Sequence, residues 1–560
     1  ITCGPISQRS FKDITFIFIY ILFWIGTIFI ASFAIENGNI NKIFSPFDPD
    51  GRQCGFGEAQ DYPYMHFNNI LKSSLGFDKY YACVKECIVD QSKQKVYCLR
   101  NKYIQDCNQI ENYISNKFLS LCIPIQSEEI QYLRDILNIG NPEQYISDLK
   151  TAIPLFIGIF ILSFCVSLIF LFLLRICAGF ITWIIFSGYF IGLISLGFIC
   201  IFNNQEYEEQ RQKLQLIGLF LFLITIFSFI IFICYFSKIR SSIAIMKASS
   251  DFTRKTFSIF FIPILLSIFV FLYFAFWTYI VLHIFSSGKI KNNEISPLPQ
   301  LELNSITKFQ IFYYIFGLFW NIELSIAVCQ LTIASAACMW YFSHRPYCQT
   351  QNSVLKSFTR AMTFHFGSVL FGSLIISIVQ LIKFLVNQIY NDIKKVVVSD
   401  NNTQNYFIKC CRCCLFSFEK YIRFINNNAF IIVALTGESF INSAKQSFSI
   451  VYRNQSQMQI SQGIGSIFST FGKYFISILC TGSGYIIIMN VKYFNDKIFS
   501  HLFVCFVFFV ISYTVGSIFM NIYGMASDSL LICLLSDKEL NKGKLRACPD
   551  TLQEFENKYM

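Results

Sequence analysis

Charge is scarce in this chain. Only 14% of its 560 residues are Asp, Glu, Lys or Arg, against about 25% in soluble domains, which excludes an ordinary soluble globular protein. Recognisable catalytic motifs are absent as well. There is no Gly-rich phosphate loop, no His-Glu-x-x-His and no Gly-x-Ser-x-Gly, so nucleotide, zinc-protease and serine-hydrolase chemistry have no anchor. Neither an enzymatic activity nor a cofactor or metal is expected. What is abundant is apolar: 54% of residues are hydrophobic and 65 are Phe. Most of that Phe is filler facing lipid, so the number alone identifies no site. The net charge of +11 does not indicate nucleic-acid binding, because the basic residues fall in short loops between apolar runs.

Runs long enough to cross about 30 Å of hydrocarbon fall at 14–36, 152–174, 176–202, 215–237, 257–286, 309–342, 357–387, 427–452, 465–491 and 499–535. The fold class expected is an all-α polytopic membrane protein of about ten transmembrane helices. A large disulfide-bonded exoplasmic loop separates the first span from the second. The organisation is a cytoplasmic segment 1–13, a first helix 14–36, a Cys-rich loop domain 37–151, a nine-helix core 152–536 and a cytoplasmic tail 537–560. The first run is too long for a signal-peptide core and reads as a retained span. Spans two and three are separated by little more than Arg175, which predicts a tight helical hairpin. Pro154 reads as a first-turn proline, and Pro263 as a kink candidate.

Orientation comes from the basic loops. Arg9 and Lys12, then Lys238, Arg240, Lys247, Arg254 and Lys255, then Arg345, Lys356 and Arg360 share a side if every run crosses. That side should be cytoplasmic. The loop domain is then outside, where its six cysteines, Cys54, Cys83, Cys87, Cys98, Cys107 and Cys122, are expected to form disulfides. Six cysteines allow fifteen pairings, and the sequence does not choose among them. A metal site at Cys83 and Cys87 lacks a His or a second close pair. Asp48, Asp50 and Gly51 resemble the start of a calcium loop, but no acidic residue follows at the required position, so the segment reads as a turn.

Residues 388–426 carry conflicting signals. Span counting puts them outside, and Asn401-Asn402-Thr403 is a glycosylation sequon. Six Lys and Arg residues from Lys394 to Arg423, and a palmitoylation-like Cys cluster at Cys410, Cys411, Cys413 and Cys414, instead resemble a cytoplasmic juxtamembrane segment. Either the segment is interfacial and amphipathic, or a neighbouring span does not cross; the span count favours the exoplasmic side.

Ionisable residues within spans cost at least ~2.5 kcal/mol at the bilayer centre and mark functional interiors. Span six carries Trp320, Asn321, Glu323 and Gln330. Span seven carries His365, and span ten Asp528. Span eight, NNNAFIIVALTGESFINSAKQSF, is interrupted by Asn426, Asn428, Glu438, Asn442 and Lys445. These five are its expected pathway-lining residues, and Gly437 is a point where the helix can break to line a cavity. Each polar residue also has a structural reading: interfacial snorkelling for Glu323, packing for His365, an ion pair for Glu438 and Lys445, helix capping for Asp528.

Several stretches resemble the choline transporter-like family, solute-carrier family 44. They are RSFKDITFIFIYILFWIG, FDPDGRQCG, ACVKECI, WNIELSIAVCQLTIASAACMWYF with TRAMTFHFGSVLFGSLI, the span-eight segment, and IYGMASDSLLICLLSDKELN. The resemblance covers almost the full length. It implies a ten-span carrier with cytoplasmic termini that moves choline, and in some members ethanolamine, without sodium and often in exchange for protons. A quaternary ammonium donates no hydrogen bond, so its site needs aromatic faces supported by an acid. The expected substrate residues are Trp320, Glu323, Gln330, Trp277 and Tyr341, and the proton-coupling residues Glu323, His365 and Asp528. The partners expected are a small organic cation and the lipid bilayer, with protein partners at the exoplasmic loop as a further prospect. The plasma membrane is the expected location and an organellar membrane such as the mitochondrial one the alternative. The competing function is a non-transporting scaffold that binds partners through the loop, or a lipid-handling protein.

Overall fold

The computed structural model describes residues 9–67, 81–87, 97–100, 105–107, 115–118, 120–124, 142–202, 208–291, 300–302, 304–343, 353–396, 402–498, 500–541, 549 and 552–553. Asn401 of the sequon and Arg345 lie outside these residues, as does the side chain of Cys410. Long apolar runs form helices because hydrocarbon offers the backbone no partner, so every N–H and C=O must be satisfied within its own segment. Nine helical stretches among the described residues are long and apolar enough to cross a bilayer. A bent pair, Cys411–Thr436 with Phe440–Arg453, makes a tenth if taken as one span. The chain is an integral membrane protein.

It divides into two compact units. The smaller comprises Ile19–Ile146 and Phe269–Asn321. It holds most of helix α1 (Ile14–Asn37), the short α2 (Asn41–Phe44), the cysteine-rich domain, and parts of α6 (Phe261–Ser286) and α7 (Ser305–Phe342). The hairpin β5 (Lys289–Lys291) and β6 (Gln300–Glu302) joins the last two. Its helical core packs Ile30, Ala31 and Ala34 against Ile280, Ile284 and Tyr314. The tyrosine hydroxyls of Tyr313 and Tyr314 donate to the carbonyls of Phe23 and Thr27 at 2.7 and 2.8 Å.

The cysteine-rich domain contains β1 (Tyr64–Phe67), β2 (Tyr81–Val84), β3 (Ser115–Phe118) and β4 (Leu121–Pro124), ordered β2-β1-β4-β3. All six cysteines are oxidised, as Cys54–Cys83, Cys87–Cys122 and Cys98–Cys107. The FDPDGRQCG segment is a turn. The buried Asp48 carboxylate accepts from the backbone N–H of Asp50 and Arg52 and from the Arg52 guanidinium, and Gly51 takes φ +83°.

The larger unit comprises Ile1–Phe18, Ser147–Ile268 and Ile322–Met560. Its helices are most of α3 (Pro142–Phe202), α4 (Glu208–Cys234), α5 (Phe236–Lys255), the end of α7 from Ile322, α8 (Ser353–Thr363), α9 (Phe366–Val396), α10 (Asn402–Thr436), α11 (Phe440–Arg453), α12 (Gln455–Asn490), α13 (Lys492–Lys497) and α14 (His501–Leu540). Helices α12 and α14 pack along their length, with α5 against both. Gly472 and Gly484 allow that approach: a Cβ would lie 2.5 Å from Met520 Sδ at the first and 2.6 Å from the Phe508 ring at the second.

Four expectations are corrected. No hairpin forms at Arg175, because α3 is one helix of 61 residues, about 90 Å long. The stretch LLRICAG contains no proline or turn cluster, and a single Gly179 costs only about 1 kcal/mol against helix. Arg175 instead pairs with Asp251 of α5 at 2.7 Å. Since α3 begins at Pro142, Pro154 lies in its interior, whereas Pro263 sits in the first turn of α6. The eighth span does not run from 427 to 452. Helix α10 starts at Asn402 and takes in much of the supposed loop, and the chain then bends by 107° into α11.

Candidate functional site

Three groups of residues stand out, one in the smaller unit and two in the larger. The first is aromatic. Tyr20, Phe23 and Trp24 recur at helical spacing on α1 and share one face. In the smaller unit they meet Tyr273 of α6 and Phe316 and Trp320 of α7. The Trp320 ring lies 5.1 Å from Tyr20, 5.1 Å from Phe23 and 5.6 Å from Phe316, and Trp24 meets Tyr273 edge-on at 6.0 Å. Such spacings are those of favourable ring pairs. Gly317 permits them, since a Cβ there would lie 2.8 Å from Phe23 Cζ. Tyr20 donates to Asn321 Oδ1 at 2.7 Å. Trp320 is 1% exposed, and its Nε1 has no hydrogen-bond partner among the described residues. A buried indole N–H normally finds an acceptor, and this one is an exception.

The second group is ionic. Glu323 of α7, 2% exposed, receives both arms of the Arg423 guanidinium of α10, Nη1 to Oε2 at 3.0 Å and Nη2 to Oε1 at 2.7 Å. Gln380 of α9 donates to Oε1 at 2.7 Å. Arg423 also donates to Glu419, one turn away, which accepts from Lys383 of α9 at 2.8 Å. Two acids and two bases form a neutral cluster joining three helices. Bidentate Arg–carboxylate geometry is the strong form of this contact.

The third group is the break between α10 and α11. Gly437 takes φ +70° and its N–H closes onto Val433 O at 2.9 Å, the left-handed glycine termination of a helix. Just before the break, Asn426 and Asn428 are buried, and among the described residues neither amide has a partner on either atom. Asn426 fits beside Gly372 of α9, where a Cβ would lie 2.5 Å from its Oδ1. Arg9 reaches the end of α10, donating to Val433 O and Ala434 O at 3.2 and 2.5 Å and to His365 Nε2 at 2.8 Å. Burial first, and then Arg9, Arg360 and Lys12, push His365 down to about 3. It is therefore neutral at pH 7, with its proton on Nδ1, since Arg9 can only donate. Burial and Arg360 lower Arg9 to about 10, so it keeps its charge.

These positions fix a pH dependence. The unfolded His titrates near 6.5 and the folded one near 3, so below pH 6.5 the unfolded state binds more protons. The stability His365 contributes is present above pH 6.5 and is lost as pH falls towards 3. Thermal unfolding of the solubilised protein from pH 8 to 5 should fall more steeply for the wild type than for His365→Gln, which keeps an acceptor for Arg9.

The remaining expected site residues are placed as follows. Trp277 belongs to the packed core, its Nε1 donating to Tyr314 O at 2.8 Å. Gln330 is half-buried two turns beyond Glu323. The buried Tyr341 hydroxyl is 3.4 Å from Asp537 Oδ2. Asp528 of α14 neighbours Gln462 of α12. Glu438 accepts from Gln446 at 2.9 Å rather than pairing with Lys445, and Lys445 and Asn442 are exposed. Sequence reading missed Tyr20, Phe23, Trp24 and Tyr273, and with them Arg423, Gln380, Glu419, Lys383, Arg9 and Asp13. The i,i+4 pairing of Glu419 with Arg423 was the available signal for α10.

Long apolar helices, with an aromatic cluster in the smaller unit and a buried ion cluster and a broken helix in the larger, define a polytopic membrane protein. Residues 219–539 match the family model described as "Plasma-membrane choline transporter", and the chain belongs to that family, one of transporters rather than of enzymes. It is 26% identical to choline transporter-like protein 2 of Dictyostelium discoideum, over 96% of this chain and 93% of that protein. Choline transporter-like protein 4 of Xenopus laevis is 24% identical, over 96% and 93%. The human choline transporter-like protein 4 is 23% identical, over 97% and 92%.

Proposed function

We propose that the protein carries choline, or a small organic cation like it such as ethanolamine, across the plasma membrane, independently of sodium and in exchange for protons. Membership of the family supports the substrate class. The observation that carries the site is Trp320, which offers both things a hydroxyethyl ammonium needs. Its ring, with those of Tyr20 and Phe23, presents π faces to the cationic head, and its unpartnered N–H donates to the substrate hydroxyl. Of the acids expected to couple protons, Glu323 has both oxygens engaged by Arg423, and His365 stays neutral. Asp528 has no cationic partner among the described residues, so the proton-coupling role is assigned to it.

Labelled choline uptake into proteoliposomes tests this reading. Trp320→Ala should reduce uptake at least about tenfold, the range of a desolvated cation–π contact. Trp320→Phe should keep cation transport while losing the preference for choline over tetramethylammonium. Asp528→Asn should flatten the pH dependence. Wild-type uptake by Trp320→Ala would overturn the site, and no uptake by the wild type would overturn the carrier reading.

A further inference from the structure

The segment from Arg9 to Asp13 lies against two helix breaks at once, both within the larger unit. One is the α8–α9 junction around Phe364 and His365, and the other is the α10–α11 bend at Gly437. Lys12 N donates to Phe364 O at 3.3 Å, and the Phe11 and Phe364 rings are 5.3 Å apart. Gly367 of α9 is flush with the segment, since a Cβ would lie 2.3 Å from Asp13 O and 2.6 Å from Lys12 O. No other residue type fits there.

The charges are matched to the break. Arg9 sits on the last carbonyls of α10, where the helix dipole is negative. Asp13 sits four residues on, and its Oδ2 accepts from the first N–H of α11, Phe440 N, at 2.8 Å and from Ser368 Oγ in the first turn of α9 at 2.5 Å. Here the dipole is positive. Asp13 takes φ +55°, an unfavourable conformation for a residue with a Cβ, held by the contacts on either side. Below the bend, Phe16 stacks on Phe371 at 4.1 Å, and Phe371 and Phe430 both meet Phe440. The cation and the anion of one short segment therefore satisfy the two free ends of a single broken helix.

We infer that Arg9 and Asp13 are positioning residues of the transport cycle, forming a latch that holds α10 and α11 in one bend and keeps this end of the bundle closed. This inference rests on the carrier reading above. Substrate passage at this end requires the latch to let go of the bend, and the affinity seen from the opposite face includes the fraction of molecules in which the latch is shut.

Two measurements on the full-length protein test it. Hydrogen–deuterium exchange at residues 437–441 should rise at least about tenfold in Arg9→Ala and Asp13→Ala. Asp13→Asn, which keeps an acceptor oxygen for Phe440 N, should stay near the wild type. The half-saturation concentration of choline on the face away from the latch should rise several-fold in Arg9→Ala, with little change on the latch face. Unchanged exchange in both alanine variants would overturn the latch. Faster exchange with equal half-saturation shifts on both faces would reduce it to a structural cap and overturn its role in transport. A wild type that does not transport choline would overturn the carrier reading and the transport role, and exchange would still report whether the segment clamps the bend.

Discussion

Arg423→Met will destabilise the solubilised protein by about 3–5 kcal/mol, the cost of leaving a buried charge without its partner. Glu323 is the group left behind. Its side chain is 3% exposed, and without Arg423 only the Gln380 amide reaches it among the described residues. The reciprocal change is milder. In Glu323→Gln, the guanidinium keeps Glu419 at 3.0 Å and is itself 33% exposed, and the new amide still faces Gln380. The double variant Glu323→Gln/Arg423→Met removes both charges together and should recover most of the loss. A double-mutant cycle on apparent stability reads this directly. Equal losses in the two single variants, or additivity in the double, would mean that the pair is not the unit holding α7 to α10.

Removing the Cys87–Cys122 bridge, by replacing both residues with Ser, should cost about 3–4 kcal/mol in the cysteine-rich domain. Its partners are 35 residues apart, and the chain-entropy cost grows with the loop closed. Cys98–Cys107 spans 9 residues and should cost about 1 kcal/mol less by the same relation. The domain depends on these links because its sheet is short, with four strands of four residues each. Limited proteolysis of the intact protein, following cleavage within 50–125, should rank the Cys87/Cys122 variant above the Cys98/Cys107 variant in susceptibility. The reverse order would show that packing rather than loop closure holds the domain.

Much of the fold was legible because lipid enforces it. A run of twenty apolar residues has few alternatives to a helix, and six cysteines in a segment read as exoplasmic announced disulfides. Their pairing was not legible. It depends on which strands lie side by side: β1 sets Met65 opposite Cys83, and β3 sets Lys117 opposite Cys122. The hairpin at Arg175 was misjudged because a charge between two apolar runs looks like a loop until Asp251 is seen beside it. The start of α10 was hidden for a related reason. Hydropathy prices Arg423 and Glu419 as isolated charges, although the structure neutralises them against Glu323 and Lys383. In the candidate site, Trp320 and Glu323 were visible as polar or aromatic interruptions in a span, whereas their partners were not. Tyr20 and Trp24 look like lipid-facing filler in a Phe-rich helix, and Arg9 looks like an ordinary basic flank.

The contacts of Arg9 and Asp13 also set an order of assembly. Their partners on α10 and α11 lie 424 to 427 positions further along the chain. At about 5–20 residues per second, a ribosome needs roughly 20 to 85 seconds to reach them. Over most of that interval the first helix is in place with its arginine and aspartate still unengaged, because even their earlier partners, His365 and Ser368, lie 355 to 356 positions on. The bend between α10 and α11 therefore acquires its fastening only when most of the chain has been made, and a chain that stops before α9 carries the segment from Arg9 to Asp13 unfastened.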